Sequence, residues 1–294
     1  MFGFLNIDKP LGLTSHDVVA RIRRVLKLKK VGHAGTLDPL ASGVLVICVG
    51  GATRLSDYVM HSTKRYRARI HFGVTTTTYD AEGETVARAP ADHLTESDIH
   101  AILPRFQGDI DQIPPMYSAI KQDGRKLYDL ARSGVEIERP PRHITIHALD
   151  VIAWSPPEVV IDVTCSAGTY IRSLAFDMGQ ALGVGAHLSG LVRTRSGSFA
   201  LEDAITLDAL AASPAPELCL HTPAQALSDY PSLVLTAAQI DAVRHGRAVD
   251  LAVDAESGMR MGYNARGDLI AILEASGGVL KPSKVFVENI HDDV

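Results

Sequence analysis

The chain has 294 residues, 46% of them hydrophobic and 21% charged, with a formal net charge of −5 at pH 7. This composition excludes an intrinsically disordered chain, and no apolar run reaches the roughly 20 residues of a membrane helix. Three widely spaced cysteines, Cys48, Cys165 and Cys219, favour neither a disulfide framework nor a zinc site. The first residues lack the layout of a signal peptide, so we expect a cytoplasmic protein without membrane contact.

The N-terminal segment predicts two strands separated by a helix. Residues 3–8 predict a short strand, and Thr14 or Ser15 can cap the helix that follows. The apolar stripe of this helix has the i, i+4, i+7, i+8 spacing of an amphipathic helix and comprises Val18, Ile22, Val25 and Leu26. The apolar run VLVICVG (44–50) predicts a buried strand, and we expect a helix over about residues 53–60.

Between the first helix and the buried strand at 44–50 lies the segment GHAGTLDPLASG (32–43), whose only carboxylate is Asp38. Pro39 favours an extended conformation at Asp38, and the glycines of this segment permit sharp turns. The sequence therefore predicts a carboxylate on a stiff loop at the end of a buried strand, which is a typical place for a functional residue. From these residues alone, the alternative that Asp38 only caps a turn stays open.

The segment YRARIHFG (66–73) alternates strictly between apolar and basic residues. Tyr66 shares a face with the apolar set, so its side chain is predicted to point toward the core or a cleft. On this pattern alone, a core tyrosine with a satisfied hydroxyl group is an equal alternative. The hydroxyl-rich segment TTTTYDAEGE (75–84) predicts a polar turn.

Residues 112–142 are bounded by prolines and carry a short basic helix, which is the layout of an insertion. We expect strands at about 144–153 and at 158–165, followed by a helix that opens after Gly168 and Thr169. Arg172 lies in the first turn of this helix, off its apolar stripe. Because the helix dipole disfavours a cation there, the sequence predicts an anionic partner, for which Asp38 is the candidate.

The last third of the chain changes in composition. Residues 202–231 are rich in Ala, Pro and acidic side chains and predict a partly helical linker. Short strands with glycine turns then predict a compact module over 232–294. We therefore expect two domains, residues 1–230 and residues 232–294.

Basic residues cluster despite the acidic total, in RIRRVLKLKK (21–30), in KRYRAR (64–69) and around residues 121–132. Contact with phosphates depends on local potential and not on net charge. Any one cluster could be a solvated face, but the three together predict a groove that follows a nucleic-acid backbone. The residues we expect to contact RNA are Arg21, Arg24, Lys64, Arg125 and Lys126.

Three separated motifs, GTLDPLASGVL, KRYRA and GTYIRSL, resemble in sequence and order the bacterial TruB family of tRNA pseudouridine synthases. These enzymes isomerise uridine-55 in the T-loop of tRNA, and the resemblance covers essentially the whole chain. It implies an α+β fold with a central, mostly antiparallel sheet. It also implies that the insertion at 112–142 grips the T-arm and that residues 232–294 form a small PUA-like RNA-binding module.

The resemblance also implies roles for individual residues. Asp38 is the expected nucleophile, Arg172 keeps it ionised and oriented, and Tyr66 lies against the target base and removes the final proton. The residues expected to bind the flipped uridine or to fill the space it leaves are His33, Tyr170, Leu191 and Asp80.

We expect no metal and no cofactor, since the chain lacks the GxGxxG, HExxH and CxxC patterns. The resemblance implies a monomer that acts on tRNA without a protein or guide-RNA partner. A nucleophilic attack of Asp38 on the sugar, its addition to the base, and a glycal-like intermediate all stay open.

Three rival classes of protein share some of these features. An RNA-binding or chaperone protein without chemistry would not need Asp38, Tyr66 and Arg172 together. A guide-RNA-dependent synthase of the dyskerin type shares the motifs, but the insertion at 112–142 favours a stand-alone enzyme. A metal-free glycosidase is disfavoured because no second carboxylate lies in a clear motif.

Overall fold

The computed structural model describes residues 1–118, 121–122, 125–132, 137–250 and 257–286. In chain order its strands are β1 (Phe2–Lys9), β2 (Val31–His33), β3 (Ala41–Gly50), β4 (Lys64–Phe72), β5 (Val74–Thr76), β6 (Thr85–Arg88), β7 (Gly108–Gln112), β8 (Lys121–Gln122), β9 (Arg125–Lys126), β10 (Arg142–Ser155), β11 (Glu158–Cys165), β12 (Ala186–Ser196), β13 (Phe199–Ala200), β14 (Ile205–Thr206), β15 (Ser232–Val234), β16 (Val249–Asp250), β17 (Gly258–Tyr263), β18 (Leu269–Ser276) and β19 (Val279–Val285).

Within the described ranges, the helices are fewer than the strands. In chain order they are α1 (Ser15–Val25), α2 (Ser56–Met60), α3 (Glu96–Ile102), α4 (Leu127–Arg132), α5 (Ile171–Ala181), α6 (Leu207–Ala212), α7 (Pro223–Ala226) and α8 (Ala237–Arg244). Among the helices of the described ranges, none is long and apolar enough to cross a lipid bilayer.

A large sheet with the order β14-β1-β3-β12-β4-β11-β10-β7 forms the centre of the molecule. Along this path, only the pairs β14–β1 and β3–β12 are parallel. The other neighbours are antiparallel. The expectation of an α+β fold with a mostly antiparallel central sheet is therefore confirmed.

Helices α1 and α5 cover one face of this sheet. The apolar stripe of α1 buries Val18 and Ile22, and α5 buries Leu174 and Met178, all in one core cluster with the sheet. Thr14 caps α1 as the sequence indicated, since its hydroxyl oxygen accepts a hydrogen bond from the backbone N–H of Asp17. Ser15 lies in the first turn of α1, and Arg172 lies in the first turn of α5.

A second sheet, with the order β15-β17-β18-β19-β16, lies within the predicted C-terminal module. It packs on the other face of the central sheet, where Phe4 and Val46 share a buried cluster with Met261 and Phe286. Arg54 adds a cation–π contact, with its guanidinium 4.6 Å from the Phe286 ring centroid. The domain boundary predicted at about residue 231 stays a prediction, and so does the PUA-like nature of the C-terminal module.

One predicted element differs in detail. The helix expected at about 53–60 consists of a 3₁₀ turn, Gly51–Leu55, followed by α2. Gly50, immediately before it, has a φ of 63°, and a Cβ there would lie 2.0 Å from the carbonyl oxygen of Met1. The close approach of Met1, just before β1, therefore shapes the start of this helical segment. Helical periodicity in the sequence gives no sign of this contact.

Candidate active site

Contacts from two neighbouring segments hold the loop that carries Asp38. The hydroxyl group of Ser15, in the first turn of α1, donates to the carbonyl of Leu37 (3.1 Å) and accepts from its N–H (2.9 Å). The N–H of Gly12 donates to the carbonyl of Pro39 at 2.9 Å. The loop is thus fixed on both sides of Asp38, whose side chain remains 42% exposed and accessible to a substrate.

The Asp38 carboxylate faces Arg172. The distance from Nε of Arg172 to Oδ2 of Asp38 is 3.0 Å, so the predicted contact is present. Among the described residues, the carboxylate makes no backbone hydrogen bond of the kind that would mark a turn cap. The geometry therefore favours a functional carboxylate over the alternative that was open from the sequence.

Arg172 lies in the first turn of α5, and its side chain is only 6% exposed. Its Nη1 lies 3.5 Å from Oδ2 of Asp80 and donates to the carbonyl of Thr78, and its Nη2 donates to the carbonyl of Tyr117 at 2.8 Å. Two carboxylates therefore compensate a buried cation at an unfavourable helix position. The guanidinium group has a fixed orientation because each of its three nitrogen atoms contacts an oxygen atom.

Asp80 holds Arg172 from the interior. It is 3% exposed, and its Oδ1 accepts hydrogen bonds from the Thr78 hydroxyl group and from the N–H of Glu82. Tyr79, between these residues, has a φ of 63° and stacks on Phe176 of α5 at 4.1 Å between ring centroids. A left-handed conformation is costly for a residue other than glycine, and this stacking contact supports it here.

The register of three central strands brings Tyr66 and Leu191 close to the Asp38 loop. Tyr66 on β4 lies opposite Arg193 on β12, and Leu191 lies opposite both Ala68 of β4 and Ala41 of β3. Since Ala41 follows Asp38 by three positions, the carboxylate, Tyr66 and Leu191 converge where β3 begins. Tyr66 is 9% exposed, on the core side as predicted. Burial raises the pKa of its hydroxyl group, and the charge of Arg193 opposes part of that rise.

Tyr170 is held through its backbone. Gln112, buried at the end of β7, accepts a hydrogen bond from the N–H of Tyr170 (2.8 Å) and donates one to its carbonyl (3.0 Å). Burial raises the pKa of the Tyr170 hydroxyl group. The two-point contact fixes the residue that precedes α5, and with it the direction in which Arg172 enters the site.

His33, on β2, lies at the start of the glycine-rich segment. Its ring makes an edge contact with His16 of α1, with 5.5 Å between ring centroids. Its Nδ1 is buried and has no hydrogen-bond partner among the described residues. Burial, together with the neighbouring His16 and Arg193, lowers the pKa of His33 to about 4, so the imidazole is neutral at neutral pH.

We expect His33 to make the protein less stable in acid. The unfolded chain binds a proton at the usual pKa of 6.5 and the folded protein only at about 4, so folding stability falls as the pH drops through this window. His33→Gln should flatten the fall in unfolding free energy measured by urea denaturation at successive pH values. His147→Gln, at an exposed position of β10, is the matched control. Equal slopes for wild type and His33→Gln would contradict the assignment.

The basic clusters divide between different parts of the surface. Arg21 and Arg24 are exposed on α1, the helix whose first turn contacts the Asp38 loop. Arg65, Arg67 and Arg69 alternate with Tyr66 and so lie on the opposite face of the sheet. The three arginines of the KRYRAR segment therefore do not border the site, although Tyr66 of the same segment does. Arg125 and Lys126 form β9, and their side chains lie outside the described residues.

The expected RNA contact of Lys64 is wrong. Its side chain is buried, and the ammonium group donates to the carbonyls of Val59 (3.3 Å), Met60 (3.0 Å) and Ser62 (2.7 Å). Burial lowers the pKa of Lys64 to about 7. Lys64 thus satisfies the free carbonyls at the C-terminal end of α2, and no phosphate reaches it in this conformation.

The sequence reasoning missed several residues of this region. Lys9 is fully buried, and its ammonium group donates to the carbonyls of Pro10 (2.9 Å) and Leu13 (2.7 Å), which fixes the turn that contacts Pro39. Glu82 belongs here too, because the negative charges of Asp80 and Asp38 add to burial in raising its pKa. The sequence did hold a signal for Lys9, because this lysine stands at the end of a largely apolar strand.

Nowhere in the described part of the chain do three or more His, Cys, Asp or Glu side chains come together to hold a metal ion. The expectation that no metal or cofactor takes part stays a prediction.

Comparison with known proteins places this site in a family of pseudouridine synthases. Residues 23–171 match the family model "TruB family pseudouridylate synthase (N terminal domain)" and residues 172–218 match "tRNA pseudouridylate synthase B C-terminal domain". A curated relative from Symbiobacterium thermophilum, named tRNA pseudouridine synthase B, is 54% identical over 249 residues, covering 84% of this chain and 82% of its own. A relative of the same name from Thiobacillus denitrificans is 47% identical over 286 residues, covering 97% and 95%.

Solved structures agree with this assignment. A crystal structure of a Cbf5-Nop10-Gar1 complex matches with a TM-score of 0.76 and 30% identity, over 97% of this chain and 84% of that chain. A structure of an H/ACA RNP bound to a substrate RNA containing 2′-deoxyuridine matches with a TM-score of 0.75 and 28% identity, over 99% and 86%. The protein is therefore an enzyme of the pseudouridine synthase class. The chain belongs to the TruB family of pseudouridylate synthases.

Proposed function

We propose that this enzyme converts uridine-55 in the T-loop of tRNA to pseudouridine. The observation that carries the proposal is the accessible Asp38 carboxylate, held at 3.0 Å by the buried guanidinium of Arg172. The names of the curated relatives support tRNA as the substrate. The proposed position within tRNA rests on the resemblance of the GTLDP, KRYRA and GTYIRSL motifs.

The proposed reaction breaks the C–N glycosidic bond of uridine, rotates the base within the site and rejoins it to the sugar through C5. The proton on C5 leaves and N1 gains one, so atoms and electrons balance without an oxidant. Asp38 stabilises the separated sugar or base, covalently or by charge, and Arg172 keeps the carboxylate ionised and oriented. Tyr66 stacks on the base and takes the C5 proton as the phenolate, a form that the nearby charge of Arg193 favours.

The target base is stacked inside the T-loop, so it has to flip out to reach Asp38. His33 occupies the space that the base leaves, and its neutral, half-buried ring is suited to stacking there. Asp80 holds Arg172, while Tyr170 and Leu191 line the pocket that receives the uracil. These roles explain why polar groups from distant segments converge around the Asp38 loop.

We propose further that the enzyme is a cytoplasmic monomer that needs neither a guide RNA nor a protein partner. The insertion at 112–142 grips the T-arm, and the C-terminal module over 232–294 adds PUA-like RNA contacts. The relatives named tRNA pseudouridine synthase B favour this stand-alone reading over a guide-dependent one.

The deciding experiment uses the purified protein and an unmodified tRNA transcript with tritium at C5 of uridine. Release of tritium reports rearrangement, and reverse transcription after carbodiimide treatment locates the pseudouridine. We expect modification of uridine-55 by the protein alone, and none in a transcript with cytidine at that position. Activity that requires an added RNA or protein, or that falls on another uridine, would overturn the proposal.

Binding of tRNA should depend on the basic face of α1. Each lost phosphate contact removes counterion release, so Arg21→Gln and Arg24→Gln together should flatten the slope of log K against log salt by about one per contact. Affinity should fall about equally for good and poor tRNA substrates, because phosphate contacts position without specifying. Filter binding across a salt series is the measurement.

The matched control for this pair is Arg69→Gln, because Arg69 is 59% exposed but lies on the opposite face of the sheet and contacts Glu158. It should leave the salt slope of wild type unchanged. An α1 variant with the wild-type slope would show that this helix does not meet the RNA backbone.

A further inference from the structure

Arg193, on β12, is among the largest side chains that are fully buried, with 1% exposure. In the described part of the chain no carboxylate forms an ion pair with it. A buried charge of this kind is costly unless hydrogen bonds compensate it. The hydrogen bonds of the guanidinium group should therefore show why an arginine is buried at this position.

The guanidinium group holds backbone carbonyls on both sides of Asp38. Its Nε donates to the carbonyl of Val44 at 2.7 Å, its Nη2 to that of Gly35 at 3.2 Å and its Nη1 to that of Thr36 at 3.4 Å. Gly35 and Thr36 precede the catalytic carboxylate, and Val44 follows it in β3. One planar group thus closes the loop that carries Asp38.

The backbone of Arg193 also contacts this loop. Gly43 has a φ of 94°, and a Cβ there would lie 2.3 Å from the carbonyl oxygen of Arg193. A glycine is therefore required where β3 begins, because any side chain would push β12 away. The loop rests on Arg193 through main-chain packing as well as through side-chain hydrogen bonds.

On its other side, Arg193 reaches Tyr66. The two residues are direct partners in the register of β12 and β4. Burial raises the pKa of the Tyr66 hydroxyl group, and the charge of the nearby Arg193 guanidinium group opposes part of this rise. The charge of Arg193 also adds to burial and to His16 in lowering the pKa of His33.

We propose that Arg193 is a positioning residue that fixes the Asp38 loop relative to the Tyr66 hydroxyl group, so that carboxylate and phenol meet the flipped base in one geometry. This inference rests on the proposed function, because it assigns Asp38 and Tyr66 to the reaction. Arg193 does not touch the substrate in this role. Its loss should therefore reduce turnover and leave tRNA affinity unchanged.

Two variants test the proposal. Arg193→Lys keeps the charge but cannot donate to three carbonyls at once, and a misplacement of about 1 Å in catalytic groups costs about a hundredfold in rate. We expect its single-turnover rate to fall by about that factor while the Kd for tRNA stays within about threefold of wild type. Arg193→Ala should lose more activity and should regain part of it when free guanidinium ion is added.

The controls separate positioning from general effects. Arg195→Ala removes an exposed arginine two residues further along the same strand and should keep the wild-type rate. Sodium chloride at equal ionic strength should not restore Arg193→Ala. Thermal unfolding and circular dichroism establish that each variant is folded before its rate is measured.

Three outcomes would overturn the inference. One is a wild-type rate in Arg193→Lys. Another is a loss of rate matched by an equal loss of tRNA affinity. The third is failure of both variants to fold, which would assign Arg193 to folding alone. Failure of the proposed function would look different, because the wild-type enzyme itself would then leave uridine-55 unmodified.

Discussion

Asp38→Asn should reduce turnover by at least about three orders of magnitude while leaving the fold and tRNA affinity intact. Asparagine keeps the shape of the side chain but carries no charge, so it can neither attack nor stabilise a cationic sugar. The loop should keep its conformation, because Ser15, Gly12 and Arg193 hold it through main-chain atoms. Arg172 keeps Asp80 as its buried anionic partner.

The measurement is the single-turnover rate of pseudouridine formation, with the Kd for tRNA and the melting temperature measured on the same preparations. Asp92→Asn, at an exposed carboxylate in the turn before α3, is the matched control and should behave as wild type. If Asp38→Asn retained more than about a tenth of the wild-type rate, a difference of only ~1.4 kcal/mol, a nucleophilic role for Asp38 would be excluded.

Local periodicity predicted much of the fold. The stripe of Val18 and Ile22 gave α1, and the alternation around Tyr66 gave β4 and the side of the sheet on which this tyrosine lies. Such patterns are reliable because burial of one face dictates them residue by residue. The pairing of β3 with β12, which brings Leu191 next to the Asp38 loop, carries no local signal, since the two strands are parallel and far apart in sequence.

The contact of Asp38 with Arg172 was predictable for an electrostatic reason. A cation in the first turn of a helix needs an anion, and the loop supplied one accessible carboxylate. The role of Asp80 as a second, buried partner of Arg172 depends on the turn at Thr78–Asp80, whose left-handed Tyr79 no pattern indicates.

The expectations for basic residues were the least reliable. Lys64 reads as part of a surface cluster, yet its long side chain turns back onto the end of α2. Arg193 reads as one more basic residue in a strand, yet it is buried under the catalytic loop. A lysine or arginine stem is long enough to satisfy carbonyls some distance from its own Cα, so the sequence position of the charge does not fix where the charge lies.

Arg172→Lys should lower the rate of isomerisation by about a hundredfold, with a much smaller effect on folding. Lysine keeps the positive charge in the first turn of α5, so both carboxylates retain a counterion. A single ammonium group cannot span Asp38, Asp80 and the carbonyl of Tyr117, which the fork of the guanidinium group contacts together. The Asp38 carboxylate then keeps its partner's charge but loses its fixed orientation.

The rate of Arg172→Lys is to be compared with that of Arg105→Lys, which changes an exposed arginine in the 3₁₀ turn Leu103–Phe106.

Asp80→Asn supplies a second test, because it removes the buried anionic partner of Arg172 and leaves Asp38 unchanged. If orientation is what Arg172 provides, Asp80→Asn should lower the rate in the wild-type background and add little in Arg172→Lys. Fully additive losses would mean that the two residues act independently. A tRNA-bound structure with Arg172 and Asp38 beyond hydrogen-bonding distance would also remove the basis for this prediction, since the contact would then belong only to the free enzyme.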